Sequence, residues 1–524
     1  RNPPVMQPLM KIETVYHMKF LLRPKKTVEI SDGDFLHITD IIRNTLSGEV
    51  TLRGIRYQRC NALNGMLERK LNEICLFYEI DIDDPRTPSE QSAIEVPVEK
   101  VNFLRHIRRT NLSFPLGRNF AAEQFRSSEE IAAEGGLTAR WKYTCKYHSA
   151  NDRYNNRWLE RSLETFSEQE CTNGYGVSNA ERRFQWRGET IMGGSHVPSL
   201  MEGNWTGSQM LTFGDGFCGA GGTTRGAVMA GLKVKWGFDF WENACKTWET
   251  NFKDAACYCM PSDKFVRMAQ SSSGGEDIKV DILHLSPPCQ YFSPAHTVNG
   301  VDDEMNTASL YAVLEVVKAV RPRVVTLEQT FGILGAKCRW YFSSVIHMFA
   351  TLRFSVRWAI VPLSTWGLPQ RRHRLIIIGA CPGEILPTMP SPTHSESGEG
   401  GLKPFVTVNE TLSKIPPDAD HHDPDRLVFA DGREMRPWDG NKILPRAMTT
   451  SGGQNYHPSG TRDFTLREYA CLQGFPINHA FVGSGIKKQI GNAVPPCVAK
   501  VLFKSIKRNL DEADGVVAAQ DFVL

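Results

Sequence analysis

From Leu211 onward, short apolar runs alternate with longer stretches whose apolar residues recur at helical spacing. The runs Leu211–Phe213, Val234–Phe240, Ile282–Leu285, Val324–Glu328, Val356–Val361 and Leu375–Ile378 read as strands. Before the fourth of them, Leu310, Val313, Leu314, Val317 and Val320 form one apolar helical face. This alternation predicts an α/β domain, a parallel sheet with crossover helices. Pro387 to Gly401 interrupts it, and a poorly patterned insert is expected over about 382–445. Thr465-Leu466-Arg467-Glu468 is a capping box that opens a helix ending near Gly474. A last helix carries Val494, Val498, Val501, Leu502 and Ile506 as packing residues, with Pro495 and Pro496 in its first turn.

The chain before 205 is patterned differently. Thr27–Ile30, Phe35–Ile38, Val50–Leu52 and Ile74–Phe77 are strand-like, separated by turns such as Ser31-Asp32-Gly33-Asp34. They predict a small, mostly β-domain at about 25–110. From about 112 to 205 the sequence is polar. Lys142-Tyr143, Lys146-Tyr147 and Arg157-Trp158 alternate basic and aromatic residues, a composition that suits nucleic acid. Glu160, Glu164, Glu168 and Glu170 lie close by, so the expectation is a solvated helix face in a connecting segment. Gly193-Gly194 and the run to Ser208 mark the boundary, giving an N-terminal region at 1–205 and a second domain at 206–524.

Composition narrows the class. A chain of 524 residues exceeds one ordinary domain, and its net charge of +3 means that any polyanion must meet a local basic surface. No apolar run reaches the length of a membrane span. The chain opens on Arg1-Asn2 without an initiator Met or secretory pattern, as expected of a trimmed chain. Thirteen scattered cysteines, an odd number, suit a reducing compartment. Cys257-Tyr258-Cys259 has no second Cys/His pair at ligand spacing, so no metal site is expected.

Five stretches carry candidate chemistry. Cys289, in Ser286-Pro287-Pro288-Cys289-Gln290, follows the Ile282–Leu285 strand directly; it is either an exposed nucleophile or one more inert thiol. Asp215-Gly216-Phe217-Cys218-Gly219-Ala220-Gly221-Gly222 closes the first strand, where glycines permit a sharp turn and close ligand approach. Its spacing is not that of a phosphate-cradling nucleotidase loop. Asp239 ends the second strand 20 residues after Gly219, where an acid can accept hydrogen bonds from ribose hydroxyls. Glu328 ends the strand after that of Cys289, as a catalytic or merely solvated acid. Arg372 and Arg374, at alternating positions before an apolar strand, either grip an anion or flank the strand as solubilising charge.

In this order the blocks resemble the cytosine-C5 DNA methyltransferase family over about 211–510. The matching pieces are the Asp-x-Phe-x-Gly-x-Gly-Gly loop, Pro288-Cys289-Gln290, Glu328, Gln370-Arg371-Arg372-x-Arg374 and Gly491-Asn492-Ala493-Val494. The chain is most similar to the fungal RID (RIP-defective) group, because Glu328-Gln329-Thr330 replaces the family's usual Glu-Asn-Val. The resemblance implies a Rossmann-like, S-adenosylmethionine-dependent methyltransferase sheet with a small target-recognition insert at about 382–445. It implies S-adenosylmethionine as methyl donor and double-stranded DNA as substrate. Cys289 would attack C6 of an extruded cytosine, Glu328 would bind N3 and the exocyclic amine, and Arg372 and Arg374 would hold O2 and order the pocket. Phe217, Gly219, Gly221, Asp239, Phe240, Asp263, Pro288, Asn492 and Val494 would contact the cofactor, and Gln290 and Ser293 the DNA. Gln329 is a departure, expected to displace the Glu328 carboxylate or shift a cofactor contact. In the N-terminal region, Asp32-Gly33-Asp34-Phe35, Arg56-Tyr57-Gln58-Arg59, Asn72-Glu73 and Val96-Pro97-Val98-Glu99 resemble a bromo-adjacent homology (BAH) domain. That resemblance implies a chromatin or protein partner, a nuclear location and a role in gene or repeat silencing, with de novo action. Two competing readings are a catalytically weak chromatin-bound recruiter and an RNA cytosine methyltransferase.

Overall fold

This computed structural model describes residues 9–188, 210–271, 278–288, 303–426, 435–450 and 454–516, the stretch 303–311 by its backbone alone. The chain forms two compact units, Arg1–Gln185 with Trp340–Arg357, and Trp186–Arg339 with Trp358–Leu524.

Besides a short hairpin of Val15–His17 with Phe20–Leu22, the first unit holds the strands β1 (Leu9–Ile12), β2 (Thr27–Ile30), β3 (Phe35–Asn44), β4 (Val50–Arg59), β5 (Glu73–Asp81), β6 (Ala93–Pro97), β7 (Val101–Arg105), β8 (Ile107–Arg109), β9 (Leu137–Tyr147) and β10 (Glu160–Thr165). β3 pairs antiparallel with β1, β2 and β4, and β4 in turn with β5 and β6. The strands extend well past residue 110, because β9 runs parallel to β5 along nine paired positions and carries β10 antiparallel on its other side. The basic–aromatic segment expected as a helix face is therefore a strand. Its period is two, not 3.6: Trp141, Tyr143, Cys145 and Tyr147 are buried on one side. Lys142 and Lys146 point the other way and pair with Glu170 and Glu160 at 2.9 and 2.7 Å. The acids thus neutralise the lysines across the sheet, and this stretch offers no free cation for a polyanion.

The second unit holds β11 (Thr212–Gly216), β12 (Lys233–Asp239), β13 (Ala256–Cys259), β14 (Ile282–Leu285), β15 (Val324–Gln329) and β16 (His373–Ala380). Their order is β13-β12-β11-β14-β15-β16, the first five parallel and β16 antiparallel to β15. β14 is buried at all four positions and β15 at all six, as expected of strands covered on both faces. The helices are α1 (Gly222–Met229), α2 (Glu242–Asn251), α3 (Ser262–Gln270), α4 (Asp303–Val320), α5 (Leu466–Leu472), α6 (Ile486–Asn492) and α7 (Pro496–Ala513). The chain leaves β11 for β12 on one side, then returns to β14 on the other. A crevice opens at such a reversal, beyond the carboxyl ends of the strands.

The C-terminal helix closes the core. Val498, Leu502, Phe503 and Ile506 of α7 are buried with Leu211, Phe213, Ile282 and Val324. The Phe503 ring meets Phe213 edge-on at 4.9 Å. A β-carbon on Gly226 would lie 2.4 Å from Cβ of Ala499, so α1 and α7 cross at a distance that glycine alone permits.

His284, in the middle of β14, is buried, and its Nδ1 lies 2.8 Å from the Thr326 hydroxyl on β15. Burial lowers its pKa from 6.5 to about 3. The folded state therefore binds fewer protons than the unfolded chain between those values, and the stability this gives is present above pH 6.5 and lost as pH falls toward 3. The thermal midpoint should drop on acidification below about pH 6.5, and His284→Gln should give a shallower acid limb in the same calorimetric series.

Candidate active site

The turn after β11 is built by backbone geometry. Phe217, Gly219 and Gly221 have φ of +60°, +51° and +83°, and α1 begins at Gly222. A positive φ strains any side chain other than glycine, so Phe217 is held there by its surroundings. Its ring packs edge-on against Phe238 at 5.2 Å, and its carbonyl accepts the Ser286 hydroxyl at 3.3 Å. The Ser286 N–H donates to the Gly216 carbonyl at 3.3 Å, so the end of β14 is tied to the glycine turn.

Asp239, at the tip of β12, reaches back to that turn. One carboxylate oxygen accepts the Gly219 N–H and the other the Trp241 N–H, both at 2.9 Å. Burial raises its pKa, while the N–H groups of Trp241, Gly219 and Phe240 pull the other way. Two backbone donors leave lone pairs on both oxygens for further donors such as a diol. Beside it the Phe240 ring is 58% exposed, a free aromatic face at the crevice. Asp215 lies beneath the turn, fully buried. It accepts the Thr224 hydroxyl at 2.5 Å, and Thr224 accepts Trp248 Nε1–H at 2.9 Å.

The C-terminal segment closes the turn from the other side. A β-carbon on Gly222 would sit 2.2 Å from the Val494 carbonyl oxygen, and one on Gly491 would sit 2.5 Å from that of Thr449. Three polar side chains fix this arrangement, of which the sequence pattern marked only Gln370, as part of a motif and without this role. Gln473 donates to the Ala493 carbonyl at 2.8 Å and accepts from Gln370 at 2.9 Å. Gln370 accepts the Met448 N–H at 3.0 Å. His479 Nε2 donates to the Ala220 carbonyl at 3.0 Å while Nδ1 accepts from Arg225 Nε at 3.2 Å. Burial and the neighbouring Arg225 lower its pKa to about 3, so the ring is neutral and its tautomer is fixed by the two partners. No local pattern marks a glutamine or histidine as a clasp between segments up to 259 residues apart.

Glu328 is buried near the tip of β15, and its Oε1 meets Arg374 Nε at 2.6 Å as an ion pair. No described donor is aligned to hydrogen-bond that oxygen. Arg372 turns elsewhere: its Nη1 donates to the Met448 carbonyl at 3.0 Å. The two arginines thus part company, one on the acid and one on the 448–450 segment. Gln329 is also buried, and its amide donates to the Pro287 carbonyl at 3.1 Å, bridging β15 to the loop that follows β14. It therefore does not displace Glu328. Pro288 is half-buried on that loop, while Cys289, Gln290 and Ser293 lie outside the described residues. Val494 is buried and Asn492, which ends α6, is exposed. Asp263 stands apart in the first turn of α3, 61% exposed, with its carboxylate paired to Arg267 on the same helix. Among the described residues no His, Cys, Asp and Glu cluster could hold a metal, and no helix is long and apolar enough to cross a membrane.

Burial pushes the Asp215 pKa from 3.8 up to about 7. The folded state thus binds more protons than the unfolded chain across that window, so stability is highest below pH 3.8 on this account and falls as pH rises through 7. The full shift is worth roughly 4 kcal/mol. Asp215→Asn, which can still accept from Thr224, should gain stability relative to the parent between pH 5 and pH 8 in urea denaturation.

A family model for C-5 cytosine-specific DNA methylases matches residues 211–433 and 428–508. The type II methyltransferase M.NgoFVII of Neisseria gonorrhoeae is 31% identical over 329 residues, covering 55% of this chain and 84% of that protein. DNA (cytosine-5)-methyltransferase 1B of Oryza sativa subsp. japonica is 23% identical over 432 residues, 57% of this chain and 28% of that one. The crystal structure of the S. pombe Dnmt2 methyltransferase aligns with 58% of this chain and 99% of its own, at 15% identity and a TM-score of 0.41.

Proposed function

Because the chain belongs to the C-5 cytosine-specific DNA methylase family, we propose that Cys289 forms a covalent adduct with an extruded cytosine while Glu328 holds the base. The protein is a DNA (cytosine-5)-methyltransferase that uses S-adenosylmethionine, and its substrate is DNA. The bound cofactor supplies an electrophilic methyl group on a sulfonium. The residues present fit it: Asp239 retains acceptor capacity for the ribose hydroxyls, Phe240 offers a face for the adenine, and Phe217, Gly219, Gly221, Pro288, Asn492 and Val494 complete the holding set. Asp263 is the member least supported, since its carboxylate is engaged within its own helix.

Cytosine C5 is a poor nucleophile until a thiolate has added at C6. Cys289 follows the Pro287-Pro288 turn, which Gln329 ties to the strand of Glu328. The observation that carries the reading is the buried Glu328 oxygen, anchored by Arg374 and lacking an aligned hydrogen-bond donor among the described residues. The exocyclic amine of cytosine supplies such a donor, N3 shares a proton with the carboxyl group, and charge developing on the ring is met by that preorganised group. Arg372 orders the neighbouring 448–450 segment, and Gln290 and Ser293 contact the DNA around the gap. The N-terminal region, 1–205, acts as a BAH-like domain for a chromatin or protein partner. The 206–524 domain reads few flanking bases through its insert at 382–445. The Glu328-Gln329-Thr330 sequence and the preceding β-rich unit support membership of the RID-like group, a nuclear location and de novo methylation linked to silencing. The family match favours neither the recruiter nor the RNA reading.

Full-length protein with labelled S-adenosylmethionine and duplex DNA containing 5-fluorocytosine should yield a denaturation-resistant complex, and Cys289→Ala should abolish it. Glu328→Gln should lower kcat about 10²- to 10⁴-fold. Transfer without any trapped complex would sink the covalent assignment.

A further inference from the structure

The first unit carries a groove of about 610 Å³ between the turn before β2 and the β7–β8 segment. Its lining is strongly one-sided in charge. Arg23, Lys25, Lys26, Arg105 and Arg109 face it, against a single carboxylate, Glu170. Glu170 is already held by Lys142 at 2.9 Å, and Arg105 is answered by Glu29. Among the described residues, Arg23, Lys25, Lys26 and Arg109 have no carboxylate within ion-pair distance. Arg109 is oriented by donating from Nε to the Tyr57 hydroxyl at 2.8 Å, which leaves the rest of its guanidinium available. His37 lines the same wall, bound to Thr27, and Arg109 adds to burial in keeping it neutral.

The turn that presents the lysines is strained. Arg23-Pro24-Lys25-Lys26 is closed by the Lys26 N–H on the Arg23 carbonyl at 3.2 Å, with Lys25 at φ +70°. That third position ordinarily takes glycine. A lysine held there, exposed and unpaired, adds a positive charge at the lip of the groove.

We propose that this groove is a second DNA-binding surface, gripping duplex phosphates through Arg23, Lys25, Lys26 and Arg109 independently of sequence. Phosphodiesters are what the chemistry fits: two lysine ammonium groups and two guanidinium groups without carboxylate partners among the described residues dominate the lining, whose apolar members Pro24, Ile107 and Cys171 are few. The inference rests on DNA being the substrate, and it assigns the first unit a share in holding it. With a net charge of only +3 on the whole chain, such local surfaces are where affinity for a polyanion must come from.

The test uses full-length protein and duplex DNA with and without cytosine, followed by fluorescence anisotropy across a salt series. The triple variant Arg23→Ala/Lys25→Gly/Lys26→Ala should flatten the slope of log K against log salt by about one unit per lost contact, roughly 2–3 in all. The loss should be equal on both duplexes, with kcat at saturating DNA and 5-fluorocytosine trapping unchanged. Lys25→Gly alone relieves the positive φ, so its thermal midpoint should hold or rise while the slope falls by about one. An unchanged slope, or a loss confined to the cytosine duplex, would overturn the assignment. So would intact DNA binding with lost binding to polyglutamate, which would give the groove to an acidic protein. Absence of trapping in the parent protein would count against the methyltransfer chemistry instead, and leave the slope comparison readable.

Discussion

A β-carbon has no place between the backbone of Gly222 and the Val494 carbonyl, and the candidate site depends on that contact. It joins residues 272 positions apart, the turn after the first strand of the sheet and the segment leading into the last helix. Because glycine alone permits the approach, the C-terminal segment can form one wall of the crevice whose other wall is the Gly219 turn and Asp239. The Phe213–Phe503 packing and the Gly226–Ala499 crossing hold the same two segments together deeper in the core. Without α7 the turn would have no lid, and the apolar surface of β11 would be open to water.

A second set of contacts fixes the acid. Glu328 lies near the tip of β15, next to the strand whose end leads into Pro287-Pro288-Cys289. Arg374 arrives on the antiparallel strand β16, so an acid and a guanidinium meet across neighbouring strands without a loop having to order them. Gln329 then binds the Pro287 carbonyl, which couples the position of the carboxyl group to that of the following loop. The replacement of an asparagine by a longer amide is thus accommodated by pointing it along the sheet edge, away from Glu328. Parallel strands bring their carboxyl ends to one side, and the proposed meeting of an acid, a thiol and a methyl donor there would use that property.

Charge is handled differently in the two units. In the second, several buried polar groups are linked into chains: Trp248 to Thr224 to Asp215, and Met448 to Gln370 to Gln473 to Ala493. Such chains satisfy groups that burial would otherwise penalise, and they make the site rigid. In the first unit, the lysines of β9 are neutralised by Glu160 and Glu170, whereas the cations around Lys25 are not. Residues with the same composition therefore serve as a satisfied sheet surface in one place and an open basic groove in another.

Much of this was legible in the sequence. Alternating apolar runs and helical faces determined the α/β class, and the glycine turn, Asp239, Glu328 and the capping box at Thr465 were readable because each depends on residues a few positions apart. The strand identity of Leu137–Tyr147 is encoded in its period of two, but the interleaved lysines and nearby glutamates have the composition of a solvated helix face. What only the tertiary structure decided is which distant groups meet. His479 on Ala220, Gln370 on Gln473 and Arg372 on Met448 rather than beside Arg374 follow from packing between segments far apart in the chain, whereas Asp263 is held by a local i,i+4 partner on its own helix. Local sequence encodes conformational preference, whereas a hydrogen bond across 100 or 259 residues exists only after the core has closed and removed the water that would otherwise serve as partner.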